Sequence, residues 1–343
     1  MVDGEFRKLQ ITGGSTMIVS LPKDWVSKNE LSKGDLVSIE ELSSGDLRIS
    51  QLQGGKSKTC TTIDCTKLEF GLLDLLIGAY LSGTDIIKVV SSEKIPRSSR
   101  MVIREFLRDT RGMEIESDED KEIRIISLLN PSELKLQVSI NRMYILISEL
   151  VNDSYSVLDG DSIELLKDIE DRERQIDARR LLIERQVAAA IKIPSVEKRL
   201  DIDRFSAMEH ANIARVLERM GDHATRLAFL VRDNNDLIKL NPNDMPLLAI
   251  PLLASELKSL VHNMYTKDVR VIQSAKLSLT NLMKEIEKEE SEVWKGRKSS
   301  ERLYCELQIS ESIRRLCAYG VNFSESLVNM LMHERLDLSL IHI

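Results

Sequence analysis

Glu218 and Asp222 stand one helical turn apart beside an apolar seam of Ile213, Leu217, Met220, Ala224, Leu227 and Val231. The steps of four and three along that seam are those of a bundle helix. Glu173 and Asp177 repeat the acidic spacing in an earlier stretch, where the seam reads Leu166, Ile169, Glu173, Ile176, Arg180, Ile183, Val187, Ala190. Glu173 and Arg180 therefore fall where the period calls for apolar side chains. A charge on a core-facing seam needs a counter-charge or an ion, because desolvating it alone costs several kcal/mol. Two such helices set antiparallel would bring four carboxylates face to face, a hard oxygen set suited to divalent or trivalent cations. Arg174, Arg179, Arg180, Arg215 and Arg219 lie in the same stretches. An arginine–carboxylate network is thus the competing reading, and i, i+4 acid pairs are common on helices. His210 and His223 flank the second acid pair; packing or surface roles suit them better than ligation.

The elements that must position these groups follow from composition and punctuation. The chain has 343 residues, 42% hydrophobic, 30% charged and 4% aromatic, a mixture that favours helical bundles in two or three domains. Its formal charge of -7 excludes polyanion binding by net attraction, so any nucleic-acid contact needs a local basic patch. Cys60, Cys65, Cys305 and Cys317 show neither C-x-x-C pairing nor zinc spacing and read as reduced thiols. No apolar run reaches the ~18 residues of a membrane span. The amino terminus lacks a signal-peptide layout, and a cytoplasmic protein is expected.

Residues 5–52 read as four short strands around one helix: Phe6 to Ile11, a Gly13-Gly14 turn, Thr16 to Leu21, a helix opened by Pro22, then LVSIEEL and LRISQ about Ser43-Ser44-Gly45-Asp46. So small a unit has a thin core, and dimerisation through it is expected. Gly54-Gly55-Lys56-Ser57 has no helix after it to face a phosphate and reads as a linker. From Cys60 to Leu129 strands and helices alternate as in a small α/β layer, either a connector or a ligand sensor. After Pro131 the pattern is helical: 132–158, 160–192 and 201–232, a break at Asn241 to Pro246, then 247–265, 267–294 and 300–335, with breaks at Pro194-Ser195 and Gly296. Three helices, a break and three more indicate an internal duplication.

Two stretches carry resemblances. RKLQITGGSTMIVSLPKDWVSKNELSKGDLVSIEE resembles the swapped-hairpin domain of AbrB and SpoVT regulators, in which two chains interlock into one DNA-binding barrel. That implies a homodimer and promoter DNA as partner, with Arg7, Lys8 and Lys23 as DNA-binding residues. LERMGDHATRLA is similar to the E-R-x-x-D signature of the PhoU family of phosphate uptake regulators, and the likeness runs from about Pro131 onward. The resemblance implies a non-enzymatic regulator of phosphate homeostasis, docking on a phosphate ABC transporter or a signalling protein. It also implies that Glu173, Asp177, Glu218 and Asp222 hold a cluster of iron, zinc or similar ions. The combined layout is similar to archaeal regulators of this type. The expected architecture is a β-rich swapped-hairpin domain at 1–53, an α/β connector at 58–130, and PhoU-like three-helix bundles at 131–236 and 245–338. In the second bundle Arg314 and Ala318 stand where Glu218 and Asp222 stand in the first, so one metal site at most is expected. The alternatives are a protein-binding scaffold without metal or DNA, and a carboxylate–metal hydrolase. The hydrolase needs a separate base and a substrate loop, and neither is evident in the sequence.

Overall fold

The structure is a computed structural model that describes residues 6–41, 45–51, 58–68, 70–130, 133–295 and 300–335, apart from the Trp294 side chain. The turn residues Ser43 and Ser44, the linker Gly54 to Ser57, and the breaks at Pro131 and Gly296 lie outside the described residues. The chain divides into two compact units, residues 1–57 and 58–343.

The first unit has two hairpins. β1 (Gln10–Thr12) pairs with β2 (Thr16–Ile18), and β3 (Val37–Glu41) pairs with β4 (Leu47–Gln51). Gly13 and Gly14 take the positive φ that the first turn requires. α1 (Lys23–Lys28) follows Pro22, whose fixed φ suits a helix start. The strands of the first hairpin are shorter than their sequence pattern; among the described residues they pair only with each other. None of the described residues of this unit is buried. Phe6 is 96% exposed, Leu36 70% and Leu47 67%, so its apolar side chains have no core within one chain.

The second unit begins with a sheet ordered β5-β6-β8-β7. β5 (Cys60–Asp64) runs parallel to β6 (Ile86–Val90), while β8 (Glu122–Ser127) pairs antiparallel with β6 and with β7 (Met113–Asp118). Alternate residues Ile63, Ile87, Val89, Ile123 and Ile125 turn inward onto α2 (Leu72–Leu81) and α3 (Arg97–Asp109), where Leu76, Tyr80, Ile103 and Phe106 complete a core. Gly83 and Gly112 leave these helices at positive φ, as expected for glycine stops.

The rest is helical: α4 (Leu136–Leu158), a 3-10 turn (Ile163–Leu166), α5 (Ile169–Lys192), α6 (Pro194–Leu200), α7 (Arg204–Asn234), α8 (Ala249–Thr266), α9 (Val269–Trp294) and α10 (Glu301–Glu334). Pro194 opens α6 from its first turn rather than only breaking the chain, since a first-turn proline forfeits no helical hydrogen bond. α7 starts at Arg204 because Asp203 caps it, accepting from the backbone of Phe205 (2.8 Å) and Ser206 (3.0 Å). The seam read for α7 is buried along its whole length. The two three-helix sets share one core, in which Met143 and Leu150 of α4, Leu217 and Leu227 of α7, and Leu316 and Phe323 of α10 take part.

α5 serves two neighbours. Ile176, Ile183 and Val187 face the bundle, while Leu181 joins the core of the α/β layer. Arg185, 4% exposed, donates to the carbonyls of Tyr80 (2.6 Å) and Thr84 (2.9 Å) and lies over the Tyr80 ring. Both carbonyls lie at or just past the carboxyl end of α2, where a cation suits the helix dipole. Lys192 adds a bond to the Ser82 carbonyl (2.7 Å).

Candidate metal centre

α5 and α7 carry the two acid pairs and approach closely where Gly221 faces Ile176: a Cβ on that glycine would lie 3.0 Å from Ile176 Cγ2. That approach brings one carboxylate oxygen from each of Asp177, Glu218 and Asp222 within 4.8 Å of one another. Glu173 lies outside this triad. It sits one turn earlier on α5 and lines, with Asp222, Thr225, Arg226 and Phe229, an open groove of about 320 Å³.

The competing arginine network is also present, and it takes one edge of the cluster. Arg180 places Nη1 3.2 Å from Glu184 and Nε 3.4 Å from Glu218, and Arg215 reaches Glu184 at 2.6 Å. Asp177 and Asp222 form no ion pair among the described residues, so the guanidinium on the seam pairs with Glu218 and reaches the two aspartates only through its field.

The electrostatics follow. Burial first, and then the charges of Glu218 and Asp222, push the Asp177 carboxyl up to about 6. Burial raises Glu218 against the pull of Arg180, and raises Asp222 against the pull of His223, Arg180 and Arg219. Glu173 is raised by burial, then by Asp222 and Glu170. Crowded carboxylates that resist ionisation are what a bound cation would relieve, and all three are hard oxygen donors. The residues fit a divalent or trivalent ion.

The histidines stand apart. His210 is buried and directs Nδ1 at the Ser206 carbonyl (2.7 Å); His223 tilts against Tyr319, with ring centroids 5.8 Å apart. In the second helical set Arg314 occupies the corresponding place, with Nε 3.2 Å from Glu290 and Nη1 3.6 Å from Glu287. Ser310 donates to the same Glu290 (2.9 Å). Sequence reasoning took Arg314 only as a lost ligand and missed that it supplies the counter-charge of Glu287 and Glu290. Their spacing of three residues, ahead of a seam arginine on the following helix, was the available signal.

Arg7, Lys8 and Lys23 are all exposed on the first unit. Among the described residues no helix is long and apolar enough to cross a membrane.

The comparisons with known proteins match these regions. Residues 140–231 match the family model of the PhoU domain, and residues 10–55 match that of MazE, a bacterial antitoxin in antidote–toxin recognition. Among solved structures the chain is similar to PhoU from Pseudomonas aeruginosa, at 14% identity and a TM-score of 0.46 over 58% of this chain and 96% of that one. A comparison with curated proteins finds no match.

Proposed function

We propose that this chain, which carries a PhoU domain behind a MazE/AbrB-like domain, regulates phosphate uptake by coupling a cation-loaded helical region to DNA. The PhoU domain supplies the tie to phosphate homeostasis and to regulation without catalysis. The observation that carries the reading is the triad Asp177, Glu218 and Asp222, gathered inside that domain with neither aspartate in an ion pair among the described residues. Asp177, Glu218 and Asp222 would hold the ion, with Glu173 at the rim of the groove. A bound divalent or trivalent ion of the iron or zinc kind supplies the missing positive charge. Arg180 meanwhile orients Glu218, and Gly221 sets the α5–α7 approach. The helical surface would dock on a phosphate transporter or signalling protein.

The first unit supports a homodimer: its apolar side chains are bare in one chain and find cover by interlocking with a second copy. Pairing would gather Arg7, Lys8 and Lys23 of both copies into the basic patch that an acidic protein otherwise lacks.

Elemental analysis of chain purified without chelator tests the metal centre, with Asp177→Ala plus Asp222→Ala as the comparison. Metal in the wild type and its loss in the variant support the reading; a metal-free wild type leaves a protein-binding scaffold. Gel-shift assays on promoters of phosphate transport operons test the DNA arm, where Arg7→Ala plus Lys8→Ala plus Lys23→Ala should weaken binding. Phosphatase or nuclease activity that vanishes with the triad would replace the regulator with a carboxylate–metal hydrolase.

A further inference from the structure

α3 presents a row of arginines on a chain whose formal charge is -7. Its buried residues, Ile103 and Phe106, turn into the core of the α/β layer. Arg97, Met101, Arg104 and Arg108 step by four, three and four, which stacks them in one stripe on the opposite side of the helix. All four are exposed, Met101 by 61%. The stripe follows about 16 Å of helix axis. No acid falls on it. Glu105 lies on one flank, and Arg100 lies on the other, where it pairs with Asp118 and donates to the Glu119 carbonyl (2.7 Å).

Little within the chain offsets this charge. Among the described residues Arg97 and Arg104 form no ion pair, and Arg108 reaches only the adjacent Asp109 (3.2 Å). Arg174 of α5 approaches the same carboxylate (3.6 Å), so Asp109 is shared between two guanidinium groups. Other cations of this layer have acids at hand: Arg124 pairs with Glu116, and Lys94 with Asp120 (2.9 Å). α3 packs on α2 and α5 with its remaining sides, and the stripe stays open to solvent. A line of like charges without acids makes a local positive potential, which draws a polyanion even to an acidic protein.

We infer that Arg97, Arg104 and Arg108 of α3 form a contact surface for the phosphate backbone of double-stranded DNA. A helix face of about 16 Å spans on the order of five phosphates of one strand. Guanidinium forks match phosphate oxygens, and charges set in one line follow a strand better than they enclose a small anion. The stripe holds no asparagine or glutamine to pair with adenine, so it reads the backbone and positions the chain without choosing a sequence. Naming DNA as the occupant rests on the DNA reading of the first unit; the place and chemistry of the surface do not. α3 belongs to the second unit, so this contact is separate from Arg7, Lys8 and Lys23.

The test is fluorescence anisotropy of the full chain with a labelled duplex of mixed sequence, about two helical turns long, over a series of salt concentrations. Log affinity falls against log salt with a slope of about 0.9 for each phosphate contact. Arg97→Gln plus Arg104→Gln plus Arg108→Gln should therefore reduce that slope by about 3 and weaken binding at low salt. Arg97→Lys plus Arg104→Lys plus Arg108→Lys should keep most of the slope, because the charges remain; loss of fold would not be rescued this way. Arg7→Ala plus Lys8→Ala plus Lys23→Ala is the parallel variant. A slope reduced by the glutamine variant alone assigns the contact to α3 and sinks the first-unit arm; a reduction by both variants supports both surfaces. Wild-type affinity and slope in the glutamine variant overturn the inference and leave the stripe to an acidic protein, while the parallel variant still reports on the first unit. A wild type that binds no duplex overturns both.

Discussion

In the first helical set α7 turns Glu218 and Asp222 toward Asp177 on α5; in the second, α10 turns Arg314 toward Glu287 and Glu290 on α9. Both sets bring acids from the middle helix against the long third helix, and both feed the same core. They differ in where the positive charge comes from. Arg314 is part of the chain, so the second set is neutralised whenever it is folded. The first set has Arg180 paired on one edge and, among the described residues, no ion pair for Asp177 or Asp222, so both stay raised by burial and leave a place for a cation from outside the chain. A duplicated scaffold can thus hold one site that responds to its surroundings beside one that does not.

The largest expected break in this comparison is in metal affinity. Asp177→Ala plus Asp222→Ala should lower it by at least ~10-fold, the lower end of what losing supporting groups costs a metal site. Arg314→Ala should leave it unchanged. Metal content by elemental analysis reads both. A second-set variant that loses as much metal as the first-set variant would remove the distinction.

Stability should separate the sets in the opposite direction. Arg314→Ala leaves Glu287 and Glu290 facing a gap, and a loss of about 2 kcal/mol is expected from stranding charge-paired acceptors. Asp177→Asn in chelator-treated protein removes a crowded charge and should stabilise the fold. Denaturant midpoints measure both, and a shared sign would mean that the first set is already balanced by Arg180.

The close approach at Gly221 can be tested in the same way. A methyl there meets Ile176 Cγ2 at 3.0 Å, a branch stiff at χ1, so Gly221→Ala should cost about 1 kcal/mol through overpacking and should also weaken the metal site by parting α5 from α7. At Gly320 the added atom meets the Leu279 Cδ1 end at 2.7 Å. That substitution should disturb packing alone, leaving metal content as in the wild type.

How much of this could be read in the residues depends on what each residue faces. The α7 seam was legible because a helix buried on one side keeps a clean three–four period. So was the acid pair beside it, and the seam break at Glu173 and Arg180. α5 was read only in half: Leu181 and Arg185 face the α/β layer, and a helix buried on two sides has no single stripe to betray the second one. The grouping of Glu173 with the other acids shows the limit of spacing. Four residues put Glu173 and Asp177 on one face, but how near each comes to α7 depends on the crossing of the helices, which Gly221 and Ile176 set.

The smallest expected effect, and the most selective, is in pH. The Asp177 carboxyl titrates near 6 in the folded chain against an ordinary value of 3.8. Between those values the folded chain holds a proton that the unfolded chain has lost, so stability falls as pH rises through this window and stays at its lower level above it. Below 3.8 both forms are protonated and the penalty is absent. Metal-free protein should therefore gain stability on going from pH 7 to pH 5, by about 1 kcal/mol once solvent screening is allowed for. Asp203 has the opposite bias: the Ser206 hydrogen bonds and the His333 charge outweigh burial and lower its pKa. Its contribution is present above its ordinary value and is lost only at lower pH, as the carboxyl protonates through its folded value. Asp177→Asn should flatten the gain between pH 7 and 5, and saturating metal should do the same, because a bound cation keeps the carboxylate ionised. The second set is paired within the chain, so Arg314→Ala should shift the whole curve down and leave its slope between pH 7 and 5 intact. A wild-type curve already flat in chelator would mean that Arg180 suffices for the triad, and the contrast between the two sets would shrink to one of position.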